Sequence, residues 1–334
     1  MSVRRHAVLA IAAAALLPFA GEAQVVIKLG TVAPEGSIWH DTLLGIREQW
    51  RTISNGEVEL RIYAGGVLGG EDELVRKMQR RGLDAAAVSG SGLPLIDSVV
   101  GCLNLPLAFT SYEQLDYVRQ QIAPELEQSF EQRGYKILSW AEAGWVHFFA
   151  RSAVRTPADL RQLRLWIGAG DPKQERLAKE LGFRVVPLPA TEMLTSLQTG
   201  LIEAIDVPPL FAMLDRSFQA APNMTDLKFA PLIAATVIAL PAWQRIPAGY
   251  QDRLLAAART AATAMRTELD RAEREAVDEM VARGLNVVSL DAAALAEWQR
   301  EAEAVYPRLE CNLEHPMLYA KVMQLLRASN ATAR

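Results

Sequence analysis

Residues 160–211 restrict the fold more than any other stretch of the chain. Leu163, Leu165 and Ile167 alternate with Arg164 and Trp166, the two-residue period of a strand. Asp171-Pro172 then opens a helix, with aspartate as N-cap and proline in the first helical position. Leu181-Gly182 closes that helix, and 184–188 reads as a second strand. Thr191 caps another helix, which Gly200 ends before a strand over 201–207. A β-α-β-α-β succession this dense requires a parallel sheet with right-handed crossovers. Ligands of such sheets collect beyond the carboxyl ends of the strands, where Trp166 and Val207-Pro208-Pro209 fall.

The flanks extend the same grammar. A strand over 25–29 runs into a loop over 30–37, whose Ser37 can cap a helix from Ile38 that carries Trp39 in its first turn. The loop N–H groups and that helix terminus can receive an anion or a hydroxyl. A second strand spans 58–63, and a glycine-rich connection over 64–70 enters a helix over 71–81. That connection lacks the G-K-[ST] ending of a phosphate loop, so its glycines read as turn geometry. A short strand over 83–89 ends at Gly90-Ser91-Gly92. Helices follow over 112–119 and 124–132, then a strand over 135–140. Helix, glycine, strand recurs at Gly134, Gly182 and Gly284, the mark of repeated α/β units.

The longest element spans 248–283. Tyr250, Leu254, Ala258, Ala261, Met265, Leu269, Ala272, Ala276 and Met280 recur at three and four, one amphipathic stripe. Its length is on the order of 50 Å, more than the width of a small domain, so it is expected to cross between domains. Two helices broken near 260–263 are the alternative. A strand over 285–290 and helices over 292–305 and 316–328 close the chain.

With 334 residues, two domains are affordable. Net charge is −4, with no dense basic patch, which argues against nucleic acid as a partner. Arg4 and Arg5, an apolar run over 7–19 and Gly21-Glu22-Ala23 read as a signal peptide over 1–23, cleaved near Ala23. The product is expected to be exported to the periplasm, by the general or the twin-arginine route, without direct membrane insertion. Cys102 and Cys311 are too few and too far apart for a zinc site; they form either a disulfide or two buried thiols. His40, His147 and His315 stand in no metal or protease motif, and no G-x-S-x-G elbow occurs. No catalytic residue, metal or cofactor is therefore expected, and the chain does not read as an enzyme.

Five stretches in fixed order resemble one family. They are T-V-A-P-E-G-S-I-W over 31–39, Y-A-G-G-V-L-G-G-E-D-E-L-V-R-K-M over 63–78, T-P-A-D-L-R-Q-L-R-L-W over 156–166, P-L-P-A-T-E-M-L-T-S-L-Q-T-G-L-I-E-A over 187–204, and the long helix. Together they span nearly all of 25–310, and the chain resembles the extracytoplasmic solute-binding subunit of a TRAP (tripartite ATP-independent periplasmic) transporter. The resemblance implies an α/β, two-domain periplasmic binding protein of type II-like form, with an interdomain cleft and a long domain-crossing helix. It also implies capture of a small-molecule solute by hinge closure and delivery to membrane permease subunits. Domain I would comprise 24–146 plus 228–262, domain II 147–227 plus 263–312, and 313–334 a C-terminal helix and tail.

The departures bear on the solute. Where relatives carry a carboxylate-binding arginine in the 163–168 strand, this chain has Trp166. Val146 stands in place of a second arginine, and Val207 in place of an asparagine. An unpaired desolvated carboxylate costs several kcal/mol, whereas burying ~200 Å² of apolar ligand contributes about 5 kcal/mol. The resemblance, so altered, implies a divergent branch with a hydrophobic or aromatic-containing ligand. Trp166, Trp145 and Trp39 are candidate walls, with core packing as the alternative. Val207, Pro208 and Phe211 are candidate cleft residues, and Ser89 and Gly90 can hydrogen-bond a polar head group. Arg164 can rescue carboxylate binding if it faces inward, Asp171 is first an N-cap, and Glu203 and Asp206 can reach a cation. Other readings are a periplasmic ligand-presenting sensor or adaptor, an organic-acid binder using another arginine, and an exported enzyme on a binding-protein scaffold.

Overall fold

The computed structural model describes residues 24–332, so the signal peptide expected over 1–23 lies outside the described residues. The strands are β1 Val25–Thr31, β2 Val58–Tyr63, β3 Ala85–Val88, β4 Tyr135–Ala150 and β5 Arg164–Gly168. They continue as β6 Arg184–Leu188, β7 Ala204–Val207, β8 Asn223–Thr225, β9 Ala230–Ala239 and β10 Asn286–Val288. They join in one mixed sheet of order β2-β1-β3-β9-β4-β7-β5-β6, with β8 pairing β4 and β10. β1 runs parallel to β2 and β3, and β5 runs parallel to β6 and β7. The stretch over 160–211 thus forms the parallel unit its alternation requires.

One strand belongs to both halves of this sheet. β4 pairs antiparallel with β9 from Tyr135 to Val146, then with β7 from His147 to Ala150. The reading of a strand over 135–140 stops short of this, because Glu142 and Gly144 interrupt the apolar pattern. Both sit at a register irregularity opposite β9, where a bulge accommodates an extra residue.

The helix Ala248–Ala282 is unbroken. Leu254, Ala257 and Ala258 enter the core around Ile27, Leu29 and Trp50 under the β1 half, whereas Met280 enters the core around Phe149 and Ile205 under the β7 half. Trp50 is fully buried and its Nε1 donates to Leu254 O at 3.0 Å, fixing the helix to Ile38–Ile53. A second correction concerns Pro124. A single helix Tyr112–Gln132 replaces the expected pair, since Leu115, Val118, Ile122, Leu126 and Phe130 form one buried face running through the proline. That face offsets the backbone hydrogen bond the proline removes.

Cys102 and Cys311 are paired in a disulfide, which fastens the segment Glu310–Glu314 to the β3 side of the molecule. From there the helix Pro316–Thr332 lies against Tyr112–Gln132. Glu314 accepts a hydrogen bond from Ser98 Oγ at 2.5 Å, and Lys173 Nζ lies 3.0 Å from Glu310 and 2.5 Å from Glu314. No helix among the described residues is long and apolar enough to cross a membrane.

Candidate functional site

A cavity of about 370 Å³ opens at the carboxyl ends of β1, β3, β5 and β7, within the size range of small-molecule sites, roughly 300–1,000 Å³. The β1 half contributes Thr31 to Ala33, Trp39, Glu71, Asp72 and Ser89 to Ser91. The β7 half contributes Trp166 to Gly168, Asp206 to Pro208 and Phe211. β4, β9 and the long helix complete the wall through Ser139, Val146, Leu232, Ala262 and Met265.

Of the candidate residues, Trp166, Trp39, Ser89, Gly90, Val207, Pro208 and Phe211 line this cavity. Trp166 Nε1 donates to Leu188 O at 2.9 Å, so the end of β6 holds the indole as a wall and uses up its polar atom. Trp39 Nε1 is shut off from solvent and has no hydrogen-bond partner among the described residues.

Trp145 is a correction. It does not line the cavity but is buried against Tyr112, with ring centroids 5.4 Å apart, and under Lys228 Nζ at 5.5 Å. The cause is the bulge. Ser139, Ala141 and Ala143 face the cavity at a period of two, and the extra residue before Gly144 shifts the phase, so Val146 faces inward and Trp145 outward.

The polar candidates divide. Ser89 donates from its backbone N–H and its Oγ to the Glu71 carboxylate at 2.9 Å, so its donors are spent within the wall. Burial pushes Glu71 up to about 7, opposed by these bonds from Ser89. Asp72 pairs with Arg76 at 2.7 Å. Arg164 does not face inward: it donates to Gly200 O and Leu201 O and pairs with Glu203 at 3.2 Å, which removes both from the site. Asp171 caps its helix by accepting from Lys173 and Gln174 N–H.

Asp206 remains. It lies in the cavity wall with Oδ1 buried and without a hydrogen-bond partner among the described residues, and burial pushes its carboxyl up to about 7 against a bond from its own backbone N–H. Among the described residues the lining contains Glu71, Asp72 and Asp206 but no lysine, arginine or histidine. Such a wall offers a carboxylate no ion pair. Among the described residues no three His, Cys, Asp or Glu side chains converge as a metal site. Glu71, Asp72, Asn104, Ala262, Met265 and the β9 residues escaped sequence reasoning because only the tertiary fold brings them together.

The model for bacterial extracellular solute-binding protein, family 7, matches residues 29–311. A solute-binding protein of Roseobacter denitrificans is 26% identical over 302 residues, covering 86% of this chain and 89% of the relative. The 2,3-diketo-L-gulonate-binding periplasmic protein of Escherichia coli is 23% identical over 252 residues, 73% of this chain and 75% of that one. Among solved structures, a TRAP periplasmic solute binding protein from Xanthobacter autotrophicus with bound β-D-galacturonate superimposes with a TM-score of 0.83 at 18% identity, covering 90% of this chain and 99% of that one.

Proposed function

The chain belongs to bacterial extracellular solute-binding protein family 7, and from that premise we propose that it is the solute receptor of a TRAP transporter, taking up a solute with an uncharged or cationic polar end and an apolar body. The observation that carries the choice of solute is the absence of any cationic side chain from the cavity lining, beside three carboxylates. Trp166 and Val146 occupy the positions at which the resemblance puts arginines, and both line the cavity. The site residues of this reading are Trp166, Trp39, Gly90, Asp206, Val207, Pro208 and Phe211.

The two halves of the sheet act as domains I and II over the limits expected from the sequence, and the cleft closes by bending where β4 exchanges β9 for β7. The mature protein begins near Gln24 in the periplasm and hands its solute to membrane permease subunits. A neighbouring gene pair encoding large and small permease subunits would favour this role, and an adjacent sensor gene would favour presentation to a sensor.

A sugar acid is the second reading, favoured by the galacturonate bound to the Xanthobacter protein. Native mass spectrometry of the protein purified from its own periplasm separates the two, since a closed cleft retains its occupant. An uncharged or amine-bearing organic molecule supports the reading above. A uronate or other sugar acid overturns it in favour of the second.

A further inference from the structure

We propose that the cavity carries a further subsite inside the β1 half of the sheet, where Ser139 and Thr236 receive a hydroxyl borne on an aromatic ring of the solute, an inference that rests on the receptor reading above. The cavity does not stop between the two halves. Leu43 and Ile46 of the helix Ile38–Ile53 line it, as do Ala262 and Met265 of the long helix. One lobe therefore runs beneath both helices, against the sheet face they cover.

Across that face the strand register sets a single row. Thr31 of β1 pairs with Ala87 of β3, Ala87 with Thr236 of β9, and Thr236 with Ser139 of β4. Residues paired across neighbouring strands present their side chains on one side, and all four line the cavity. Three of them bear hydroxyls, but with unequal freedom. Thr31 Oγ1 accepts the N–H of Ala33 at 3.2 Å. Ser139 and Thr236 are 2% and 7% exposed, and their hydroxyls bond no other group among the described residues. Unlike Asp206 Oδ1 and Trp39 Nε1, neither oxygen is shut off from solvent, so both open on the cavity they line. The facing helix offers no rival partner, since Thr42 Oγ1 donates to Ile38 O at 2.7 Å.

Buried polar groups are nearly always satisfied, and here the partner must come from what fills the lobe. A hydroxyl both donates and accepts, so one hydroxyl on the solute can bond both side chains, whereas a carbonyl only accepts. A charged group would lose its hydration among Leu43, Ile46, Ala262 and Met265 without gaining a counter-ion. That apolar cover, with Ala87 on the sheet side, suits the flat face of an aromatic ring. The group at the other end of the solute stays in the cleft, and the test varies the two ends independently.

Calorimetric titration of the mature chain uses four probes: 2-phenylethanol, 2-(4-hydroxyphenyl)ethanol, phenylacetate and 4-hydroxyphenylacetate. The ring hydroxyl is expected to tighten binding about tenfold or more in the alcohol pair and in the acid pair. Ser139→Ala combined with Thr236→Val removes both hydroxyls at nearly constant shape and is expected to bring that gain below about threefold. Ala262→Leu fills the lobe from the helix side and is expected to erase the gain as well, so poor folding of one variant leaves the other to decide. A gain below about tenfold in the wild type, or a full gain retained in the variants, overturns the subsite. Either result leaves the receptor reading standing where the alcohols bind more tightly than the acids. Tighter binding by the acids instead overturns the preference for an uncharged solute and leaves the subsite intact if the hydroxyl gain is present. Binding by none of the four overturns both.

Discussion

Glu273, in the C-terminal half of the long helix, accepts the backbone N–H of Trp145 at 3.0 Å, while its other oxygen accepts from Tyr112 Oη at 3.2 Å. A helix carboxylate thereby grips β4 immediately before that strand exchanges partners. Burial pushes Glu273 up to about 7, with the two hydrogen bonds opposing the rise.

The sign of this shift makes the folded state bind more protons than the unfolded chain between about pH 4.5 and 7. The stability it confers is complete below the unfolded pKa and is lost as pH rises through the folded value. Each pH unit between the two is worth about 1.4 kcal/mol. Glu71, Asp206 and Asp215, also raised by burial, act in the same direction. Melting curves from pH 5 to 8 should show declining Tm, with a shallower decline in Glu273→Gln. A variant slope as steep as the wild type's would remove Glu273 from this role.

Gly144 has φ +128°, and a Cβ there would lie 2.6 Å from Pro208 Cβ and clash with Glu273 Oε1. Gly144→Ala should lower stability by about 2 kcal/mol or more, through strain and overpacking together. Chemical denaturation measures it, and a loss below 0.5 kcal/mol, about the effect of a neutral surface change, would contradict the packing described.

Trp166→Ala is expected to weaken solute binding at least tenfold, since it removes both the wall and the bond to Leu188 O. Trp166→Phe retains most of the apolar face and should lose less. Tryptophan fluorescence titration with the solute identified in the native protein provides the comparison. Equal affinity in Trp166→Ala would show that the indole is only packing.

Cys102 and Cys311 are separated by 209 residues, a long loop for a cross-link to restrain. Cys102→Ser with Cys311→Ser should cost about 2–5 kcal/mol of stability. Wild type under reducing conditions should melt at the same lowered temperature as the double variant. If reduction leaves Tm unaltered, the cross-link contributes nothing.

The parallel unit over 160–211 was readable because each strand there is short, alternates cleanly and is bounded by a cap or a glycine. The long helix was readable for the same reason, its stripe holding one period over 35 residues. β9 was invisible as a strand: Ala230–Ala239 is an apolar run with no alternation, and its pairing with both β3 and β4 is entirely long-range. In the site, Trp166 and the Val207–Phe211 neighbourhood could be placed from strand ends alone. Trp145 could not, because one inserted residue in β4 reverses which side every later residue faces. Asp206 is a candidate from its place in β7, but that its buried Oδ1 meets no partner among the described residues is a property of the fold that a linear pattern does not record.

The segment Glu310–Glu314 is secured unequally at its two sides. One side is covalent, through Cys311, while the other depends on the ammonium of a lysine whose side chain is 59% exposed. Such a pair is worth little in water and fades with ionic strength. Brine should therefore loosen this clasp on the Pro172–Glu180 helix while leaving its anchored end intact.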